Sequence, residues 1–513
     1  MSGRSPSILI VTESYDVGGL ETYIAGQVRV MAADGWAVHL ACGSEPIAEF
    51  LPPGLATLRT GLRLGPDSTV TDLVATVENL RALIREMAVT HVHAHPFTSL
   101  FPAMLAAALE GVPFILTLHG PASLSSGYGP FNDYLSAALV LPTANAVLAV
   151  SEEVRDLSAP YVPGGQLCIQ YNAIDVNRFG HSDSLMPNDA PWLVVSRLDA
   201  VKIHGIRQFV NQAHALGFTH IDIVGDGPGR VTLEEWLQSD GVDHIARFLG
   251  ARSDVHNLMH SSAGVAGMGR VLLEGVACDK PVCMVGYDGV KGFVGPDLFR
   301  RAASANFSGR NLPNLSTEDL VSQLEGGPAR TAELLEMMRR HHSEDAVWSS
   351  FAKQISAYTY SGSPLVRAIY SVLQAEETAA SQVPYLQSEE LFYRIGRVLH
   401  SAAYFSPAAV EGFRFYESRM NALRWGREQA QVAATQREIL SGMAHAEEHR
   451  SQVMKQMLNE LRDLNAEGRR EVEELAQSIK ALEGALSRLD IRLQQQKTWR
   501  ERISDAVRSR LGR

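Results

Sequence analysis

Short apolar, β-branched runs alternate with helix-length amphipathic segments along the first two thirds of the chain. From residue 8 to about 175 the runs predict strands, and a second series of the same kind begins near residue 190. Strands that alternate with helices are typical of a parallel sheet covered on both faces. The predicted strand segments are SILIVT, WAVHLAC, VTHVHAH, PFILTLHG, NAVLAVS and QLCIQYN, then WLVVSRL, HIDIVGDG, ARFLG, AGVAG and KPVCMVG.

Strand signals stop after about residue 345, where VWSSFAKQISAY, SPLVRAIYSVL and EELFYRIGRVLHSAAYF predict helices. From Leu440 onward Gly and Pro are few, and Glu, Arg, Gln, Leu and Ala dominate, as in long helices. The length of 513 residues allows about three folding units.

The last long helix carries a heptad repeat. Its apolar positions are spaced 3, 4, 3, 4, 3, 4, which is the a/d pattern of a coiled coil, and the register continues backward to Met454. They are Val472, Leu475, Ile479, Leu482, Leu486, Leu489 and Leu493. We expect residues 440–493 to form a homo-oligomer. The heptad pattern does not decide whether the coiled coil contains two or three helices. The alternative is a long helix packed on the chain's own domains.

Asn465 occupies an a position of this repeat. A buried Asn can pair with its counterpart in a parallel dimer and fix the register. It can equally mark a wet, weak point of the coil beside Gly468.

Residues 497–513, KTWRERISDAVRSRLGR, follow the last heptad. At helical spacing Trp499, Ile503, Val507 and Leu511 share one narrow face. The segment contains six basic residues and two acidic ones. This pattern is typical of a helix that lies on an anionic membrane surface. A solvated charged terminus is the other interpretation.

The predicted organisation therefore has five parts. It comprises an N-terminal Rossmann-like domain at 1–180, a C-terminal one at 181–345, crossover and connecting helices at 346–435, a coiled coil at 436–496 and a basic amphipathic tail at 497–513. The polar, Pro-containing stretch HSDSLMPNDAP is the expected linker between the two α/β domains.

Composition narrows the class of protein. Acidic residues exceed basic ones by 57 − 46 = 11, so the chain lacks the basic character of a general nucleic-acid binder. The four cysteines are scattered and have no zinc-ligand spacing, which predicts reduced thiols. The apolar run before Thr12 is only four residues long, shorter than the core that a signal peptide is expected to have, and the most apolar stretch, 100–118, is interrupted by Pro, Glu and Gly. We expect a cytoplasmic protein without a membrane-spanning helix.

Glycines and cations follow several predicted strands. Gly18 and Gly19 come between the first strand and a helix, where backbone N–H groups can approach an anion. Arg197 and Lys202 lie in the turn after the strand WLVVS and suit a pyrophosphate clamp. Another such turn is formed by Gly267, Gly269 and Arg270, before a helix that bears Glu274. Neither G-x-G-x-x-G nor a P-loop occurs, so the sequence lacks the main motif expected of a dinucleotide oxidoreductase or an NTPase.

Together these motifs resemble the GT-B-fold retaining glycosyltransferases of family 4. The segments that carry the resemblance, within residues 8 to about 362, are VGGLETY, TLHG, VLAVSEEV, YNAIDVNRF, SRLDAVKIHG, IVGDGPG, RFLGARSDV and GMGRVLLEGVACDKPV. The resemblance implies two Rossmann-like domains facing a cleft and a helix near 345–362 that crosses back to the first domain. It also implies no metal and no cofactor, because the nucleotide sugar is a substrate and cationic groups stabilise the leaving diphosphate.

The resemblance implies a role for each matching residue. Arg197 and Lys202 match the phosphate-binding pair, Gly18 and Gly19 the glycine loop, His119 the histidine that touches the donor sugar, and Glu274 the ribose-binding Glu of an E-x7-E motif. With Arg197 and Lys202, His119 forms the expected catalytic set; Gly267, Gly269 and Arg270 complete the donor site. The first Glu of the motif falls at position 266, where this chain has Ala266.

The run His91-Val92-His93-Ala94-His95 places three imidazoles on alternate positions. Metal binding is one interpretation, since alternate residues share a strand face. No acidic or Cys partner stands nearby in the sequence, however, and we expect an ordinary sheet strand.

The resulting hypothesis is a peripheral, cytoplasmic glycosyltransferase. It would move a sugar from a nucleotide-diphosphate donor to a glycan or lipid-linked acceptor in bacterial surface polysaccharide synthesis. One alternative is a catalytically degenerate scaffold that organises partners through its coiled coil, as Ala266 suggests. Another is a GT-B-fold sugar epimerase, for which the coil and tail have no obvious use.

Overall fold

The structure of the chain is a computed structural model. It describes residues 6–16, 18–124, 127–180, 189–325, 332–360, 363–377, 382–401, 476–485, 487–488 and 492. The chain divides into two compact units, residues 1–420 and 421–513. The first unit contains both α/β domains.

A seven-stranded parallel sheet forms the centre of the first domain, in the order β3-β2-β1-β4-β5-β6-β7. Its inner strands β1, β4, β5 and β6 are buried along their whole length, as expected for strands covered on both faces. The strands are β1 Ser7–Thr12, β2 Ala37–Cys42, β3 Leu55–Arg59, β4 His91–Ala94, β5 Phe114–Leu118, β6 Ala146–Ala149 and β7 Leu167–Ile169.

The second domain contains a six-stranded sheet in the order β10-β9-β8-β11-β12-β13. Its strands are parallel except for the edge strand β13, which pairs with β12 in the antiparallel direction. The strands are β8 Trp192–Val195, β9 Ile221–Val224, β10 Ala246–Gly250, β11 Gly264–Gly267, β12 Val282–Val285 and β13 Val290–Phe293. The two sheets confirm the predicted α/β class with two Rossmann-like domains.

Helices connect the strands and cover both faces of each sheet. Those of the first domain are α1 Gly19–Ala33, α2 Val70–Glu86, α3 Leu100–Glu110, α4 Pro130–Leu135, α5 Leu141–Thr143 and α6 Glu152–Ser158. Those of the second are α7 Ile203–Ala215, α8 Arg230–Asp240, α9 Val255–Ser261, α10 Arg270–Ala277, α11 Pro296–Ala303, α12 Thr317–Glu325 and α13 Ala332–His342.

Three further helices follow: α14 Glu344–Ile355, α15 Pro364–Glu377 and α16 Glu389–Ser401. Helix α14 leaves the second domain and packs on α1 of the first, where Trp348 and Phe351 are buried in the same core as Tyr23. Helices α15 and α16 pack with α2 and α3 in the other core of the first domain. The chain thus returns to its first domain after completing the second.

Two strands were missing from the predicted set. Strand β3 lies at a sheet edge and is half-exposed, so its sequence LATLR lacks a continuous apolar run. Strand β13, VKGF, contains Lys291, which reads as a loop residue. The Lys291 ammonium is nevertheless buried. Its charge is compensated by three hydrogen bonds, which it donates to Asp288 Oδ1 at 2.7 Å, Asn314 Oδ1 at 2.7 Å and the Leu312 carbonyl at 3.0 Å.

The outer edge of β13 is also hydrogen-bonded. The Phe293 N–H donates to Oε1 of Gln323 on α12 at 2.8 Å, and the Leu315 N–H donates to the Val290 carbonyl at 2.8 Å. Side-chain and loop groups therefore take the place of a further strand along this edge.

Several predicted features lie wholly or mostly outside the described residues. These are the linker at 181–188, the tail at 497–513, Asn465 and most of the heptad repeat. Within the repeat, residues 476–485 are helical and Leu482 is 45% exposed. In the described part of the chain, no helix is long and apolar enough to cross a membrane.

Candidate functional site

Strand order reverses at one point in each sheet, between β1 and β4 in the first and between β8 and β11 in the second. In open α/β sheets, ligands bind beyond the carboxyl ends of the strands at such reversals. Gly18 and Gly19 follow β1, Arg197 and Lys202 follow β8, and the Gly269 turn follows β11. The fold therefore brings most of the predicted site residues to these two positions.

The start of α1 supplies the first part of the site. Gly18 and Gly19 are both exposed, and no described side chain caps the helix at Gly18. A Cβ at Gly18 would lie 2.7 Å from Oε2 of Glu21, whose other oxygen accepts from the Asp16 N–H at 3.4 Å. Small residues here leave the N–H groups of the first helical turn open to an anion.

His119 follows β5 and is half-buried beside the histidines of β4. Its Nε2 lies 2.9 Å from Nδ1 of His95, and its ring packs edge-on against Tyr23 with centroids 4.8 Å apart. Burial lowers the pKa of His119 to about 3 and that of His95 well below its ordinary value. Both imidazoles are therefore neutral at physiological pH.

The two histidines within β4, His91 and His93, are hydrogen-bonded inside the fold. His91 Nε2 lies 2.8 Å from the Ile355 carbonyl at the end of α14, and His93 lies between Gln27 and Thr117. Among the residues that the structure describes, no group of three or more His, Cys, Asp or Glu side chains is arranged to hold a metal ion. The imidazoles of β4 belong to the interior of the first domain.

Arg197 and Lys202 share a carboxylate. Arg197 Nε donates to Asp199 Oδ2 at 3.1 Å, and Lys202 Nζ lies 3.6 Å from the same oxygen. The two cations hold the pKa of Asp199 below its ordinary value, although burial opposes the shift. The Arg197 side chain is 75% exposed, so its guanidinium is accessible to a ligand at the end of β8.

The turn between β11 and α10 contains two residues, Met268 and Gly269. Gly269 has φ +63 and ψ −133, a conformation that only glycine adopts readily. A Cβ at Gly267 would lie 2.8 Å from Val271 Cγ1, so this position also requires a glycine. Such a short turn brings the start of α10 close to the sheet.

Ala266 lies inside β11 and not in the turn. It is fully buried in the core of the second domain and pairs with Val194 and Cys283 in the sheet. The position that the motif spacing assigns to a sugar-binding Glu is thus an interior strand position in this chain.

Arg270 contacts groups of the chain itself at the connection between the two domains. Its Nη1 donates to the carbonyl oxygen of Ala173, in the connection between the two domains, and its Nη2 lies 3.7 Å from Glu274 Oε1. Both side chains are largely buried, with 12% and 13% exposed. Burial raises the pKa of Glu274 although Arg270 opposes this shift. The two predicted donor-site residues therefore face each other at the domain connection.

Contacts between the domains join the carboxyl edges of the two sheets. Glu153, just after β6, accepts from Arg310 Nη2 at 2.6 Å and donates its N–H to the Ser304 carbonyl at 2.9 Å. Asn172 Nδ2 donates to Asn306 Oδ1 at 2.8 Å. The loop at Phe307 in turn accepts the N–H of Gly269, so these contacts border the start of α10.

Sequence reasoning missed Glu13 and Asp199, and it considered His95 only as a metal ligand or an ordinary strand residue. Glu13 directly follows β1. Its Oε2 accepts from the Phe97 and Thr98 N–H groups at 3.4 and 3.3 Å, and its Oε1 accepts from the Tyr128 hydroxyl at 3.1 Å. A polar residue directly after a buried strand was the available signal for both Glu13 and His95. Asp199 was detectable as an acid between two clamp cations.

The sequence of residues 17–178 matches the profile of Glycosyltransferase Family 4. No curated protein matches the chain. The matched segment runs from the start of α1 through β7, without β1, and contains Gly18, Gly19 and His119.

Several solved structures share the fold. Alr3699/HepE from Anabaena in complex with UDP is 17% identical with a TM-score of 0.52, over 69% of this chain and 100% of that one. A glycosyltransferase from Rickettsia africae is 16% identical with a TM-score of 0.52, over 69% and 98%. Sucrose-phosphate synthase from Thermosynechococcus elongatus is 18% identical with a TM-score of 0.51, over 73% and 100%. At these identities the likeness concerns the two-domain fold.

Proposed function

We propose that this chain is a glycosyltransferase that moves a sugar from a nucleotide-diphosphate donor to a glycan or lipid-linked acceptor. One observation carries the proposal: Arg197 and Lys202 lie together at the carboxyl end of β8, at the reversal of strand order, on a shared Asp199. Two cations at this place suit a diphosphate. The family profile over 17–178 and the fold shared with a UDP complex support the same function.

In this proposal the donor diphosphate binds to Arg197 and Lys202, and the start of α10 adds backbone N–H groups. Charge develops on the diphosphate oxygen as the glycosidic bond breaks, and fixed positive groups stabilise that charge without reorganisation. The acceptor hydroxyl attacks from the face on which the diphosphate leaves, and a diphosphate oxygen takes its proton. This gives a retaining transfer with no metal required.

We also propose that the enzyme is cytoplasmic and acts in bacterial surface polysaccharide synthesis. It assembles through residues 440–493 and binds an anionic membrane surface through residues 497–513. The heptad spacing supports the first contact, and the six basic residues beside Trp499 support the second. Two linked tails would bind a membrane more firmly than one.

The test combines Arg197→Ala with Lys202→Ala and measures nucleotide release from a panel of nucleotide sugars. Each charge-assisted contact contributes about 1.5–3 kcal/mol, so we expect at least a 100-fold loss of turnover. A matched control, Arg300→Ala with Arg394→Ala, removes two half-exposed arginines that lie away from the strand ends. Turnover that survives in the first variant would refute the clamp.

A catalytically degenerate scaffold is the second candidate, and Ala266 favours it. The motif carboxylate is missing, and its position holds the methyl group of Ala266, which is buried in β11. A scaffold of this kind would neither bind nor turn over any donor. A thermal-shift screen with nucleotide sugars separates the two, because a ligand that binds the folded state raises the melting temperature.

A further inference from the structure

The pair His95 and His119 contains a buried nitrogen with no partner. His95 is fully buried at the end of β4, and among the described residues nothing bonds its Nε2. Its Nδ1 lies 2.9 Å from Nε2 of His119. Since both rings are neutral, each carries one proton, and one proton lies between the two rings.

The neighbouring His93 does not supply a proton to this pair. His93 Nδ1 faces Oε1 of Gln27 at 3.1 Å, which makes it the donor, and its Nε2 accepts from the Thr117 hydroxyl at 2.8 Å. Both of its ring nitrogens are thus used within the first domain. The His93 and His95 rings touch with centroids 4.5 Å apart, without a hydrogen bond between them.

Two arrangements of the shared proton remain. With the proton of His95 on Nε2, a buried N–H group would lack an acceptor. With it on Nδ1, the buried Nε2 carries only an unused lone pair, which costs less. In the second arrangement His95 Nδ1–H donates to Nε2 of His119, and the single proton of His119 must then lie on Nδ1.

We propose that His95 is a positioning residue that holds His119 as the neutral tautomer with its proton on Nδ1, so that His119 donates a hydrogen bond to a hydroxyl of the transferred sugar. In the described part of the chain, Nδ1 of His119 has no hydrogen-bond partner, and its backbone N–H is already bonded to Ser123 Oγ at 3.0 Å. The partner hydroxyl rests on the proposed function, whereas the tautomer does not.

The direct test is the tautomer itself. Two-bond ¹H–¹⁵N spectra of the full chain labelled at histidine distinguish Nδ1–H from Nε2–H, and comparison with His119→Asn assigns the signal of His119. We expect Nδ1–H in the native protein and a shift toward Nε2–H in His95→Leu. A native Nε2–H signal, or a signal unchanged in His95→Leu, would overturn the proposal whether or not any sugar is transferred.

Activity provides the second readout. An Asn side chain places an N–H group near the position of imidazole Nδ1, so His95→Asn should recover most of the roughly tenfold loss in kcat/KM expected of His95→Leu. At position 119, Asn should likewise retain more activity than Gln, which imitates Nε2. His39→Asn, a buried histidine bonded to Ser7, is the matched control and should keep native kcat/KM. Equal activities of His95→Asn and His95→Leu would contradict the positioning role.

A third outcome separates this inference from the function. If no nucleotide sugar binds or turns over but the spectra show Nδ1–H on His119 that depends on His95, the proposed function fails and the tautomer assignment stands. If turnover is found with Nε2–H on His119, the function stands and the assignment fails.

Discussion

Gly269 holds a backbone conformation that other residues adopt only with strain. Its φ of +63 and ψ of −133 end the two-residue turn before α10, and its N–H donates to the Phe307 carbonyl at 2.8 Å. A Cβ at this position would meet nothing within 4 Å, so the strain of any substitution comes from the backbone alone. The start of α10 therefore depends on this glycine.

We expect Gly269→Ala to lower the free energy of unfolding by about 1–3 kcal/mol, the usual cost of a residue held in such a region. The urea midpoint of unfolding measures this change. Gly164→Ala is the control, because its Cβ also meets nothing within 4 Å and its backbone is outside the left-handed region. Equal midpoints for the two variants would contradict the strain argument.

Individual side chains explain what sequence reasoning could and could not reach at the site. The glycines and cations were detectable because they follow predicted strands. The contact of Arg270 with Ala173 could not be predicted, since it joins residues 97 positions apart across the domain connection. The same holds for the burial of Lys291, which requires three oxygen atoms from separate loop positions.

At the scale of elements, α14 is the helix that ties the end of the second domain to the first. Trp348 is fully buried and packs edge-on against Tyr23 and Phe351, with centroids 4.7 and 5.5 Å apart. The end of the helix accepts from His91 through the Ile355 carbonyl. These contacts couple α14 to both α1 and β4.

Trp348→Ala should therefore destabilise the chain by about 3–5 kcal/mol, because it leaves a large cavity between α14 and α1. The melting temperature and the urea midpoint both report this loss. Ser350→Ala, an exposed substitution on the same helix, should leave both unchanged. If the two variants unfold alike, α14 does not contribute to the core as described.

Strand prediction was most secure for the inner strands, because burial on two sides demands a continuous apolar run. The eleven apolar runs in the sequence correspond to β1, β2 and β4–β12, which include the edge strands β7 and β10. The two strands that were missed, β3 and β13, also lie at sheet edges, where one side of the strand meets solvent or a loop. Edge strands carry polar residues that also occur in loops, so periodicity alone does not separate the two.

At the scale of the whole molecule, Glu344 lies where the chain passes from the second domain back to the first. Its carboxylate is buried, and Oε2 accepts from Arg29 Nη2 at 2.6 Å. Arg29 also contacts Asp175, in the other connection between the domains. Burial raises the pKa of Glu344 to about 7 against the opposing effect of Arg29.

This pKa makes stability depend on pH. An ordinary Glu has a pKa of 4.5, so between pH 4.5 and about 7 the folded chain binds more protons at this carboxyl than the unfolded chain does. The contribution of Glu344 to the free energy of unfolding is greatest below pH 4.5 and falls as pH rises, by up to about 1.4 kcal/mol per unit.

The difference between Glu344→Gln and the native chain isolates this contribution, because other titrating groups are common to both. We expect the variant to gain stability relative to the native chain as pH rises from about 5 to about 8, by up to about 3 kcal/mol. Urea midpoints at several pH values measure the difference. A constant difference across this range would show that Glu344 titrates alike in the folded and unfolded chain.

The two-domain organisation itself followed from the sequence, since two series of strands with a polar stretch between them predict two sheets. The contacts between the domains did not, because they involve single polar residues such as Glu153, Asn172 and Arg310 whose spacing in the chain has no pattern. Such contacts form only when the two domains pack together, so no local pattern in the sequence predicts them.

The closed edge of β13 has a consequence for self-association. An open edge strand presents unpaired N–H and carbonyl groups on which another chain can add a strand. Here the Phe293 N–H and the Val290 carbonyl are already bonded to Gln323 and Leu315. A second copy that met this side of the domain would find side chains to pack against and no backbone ladder to extend. Strand-by-strand growth into a continuous intermolecular sheet is thus blocked at β13.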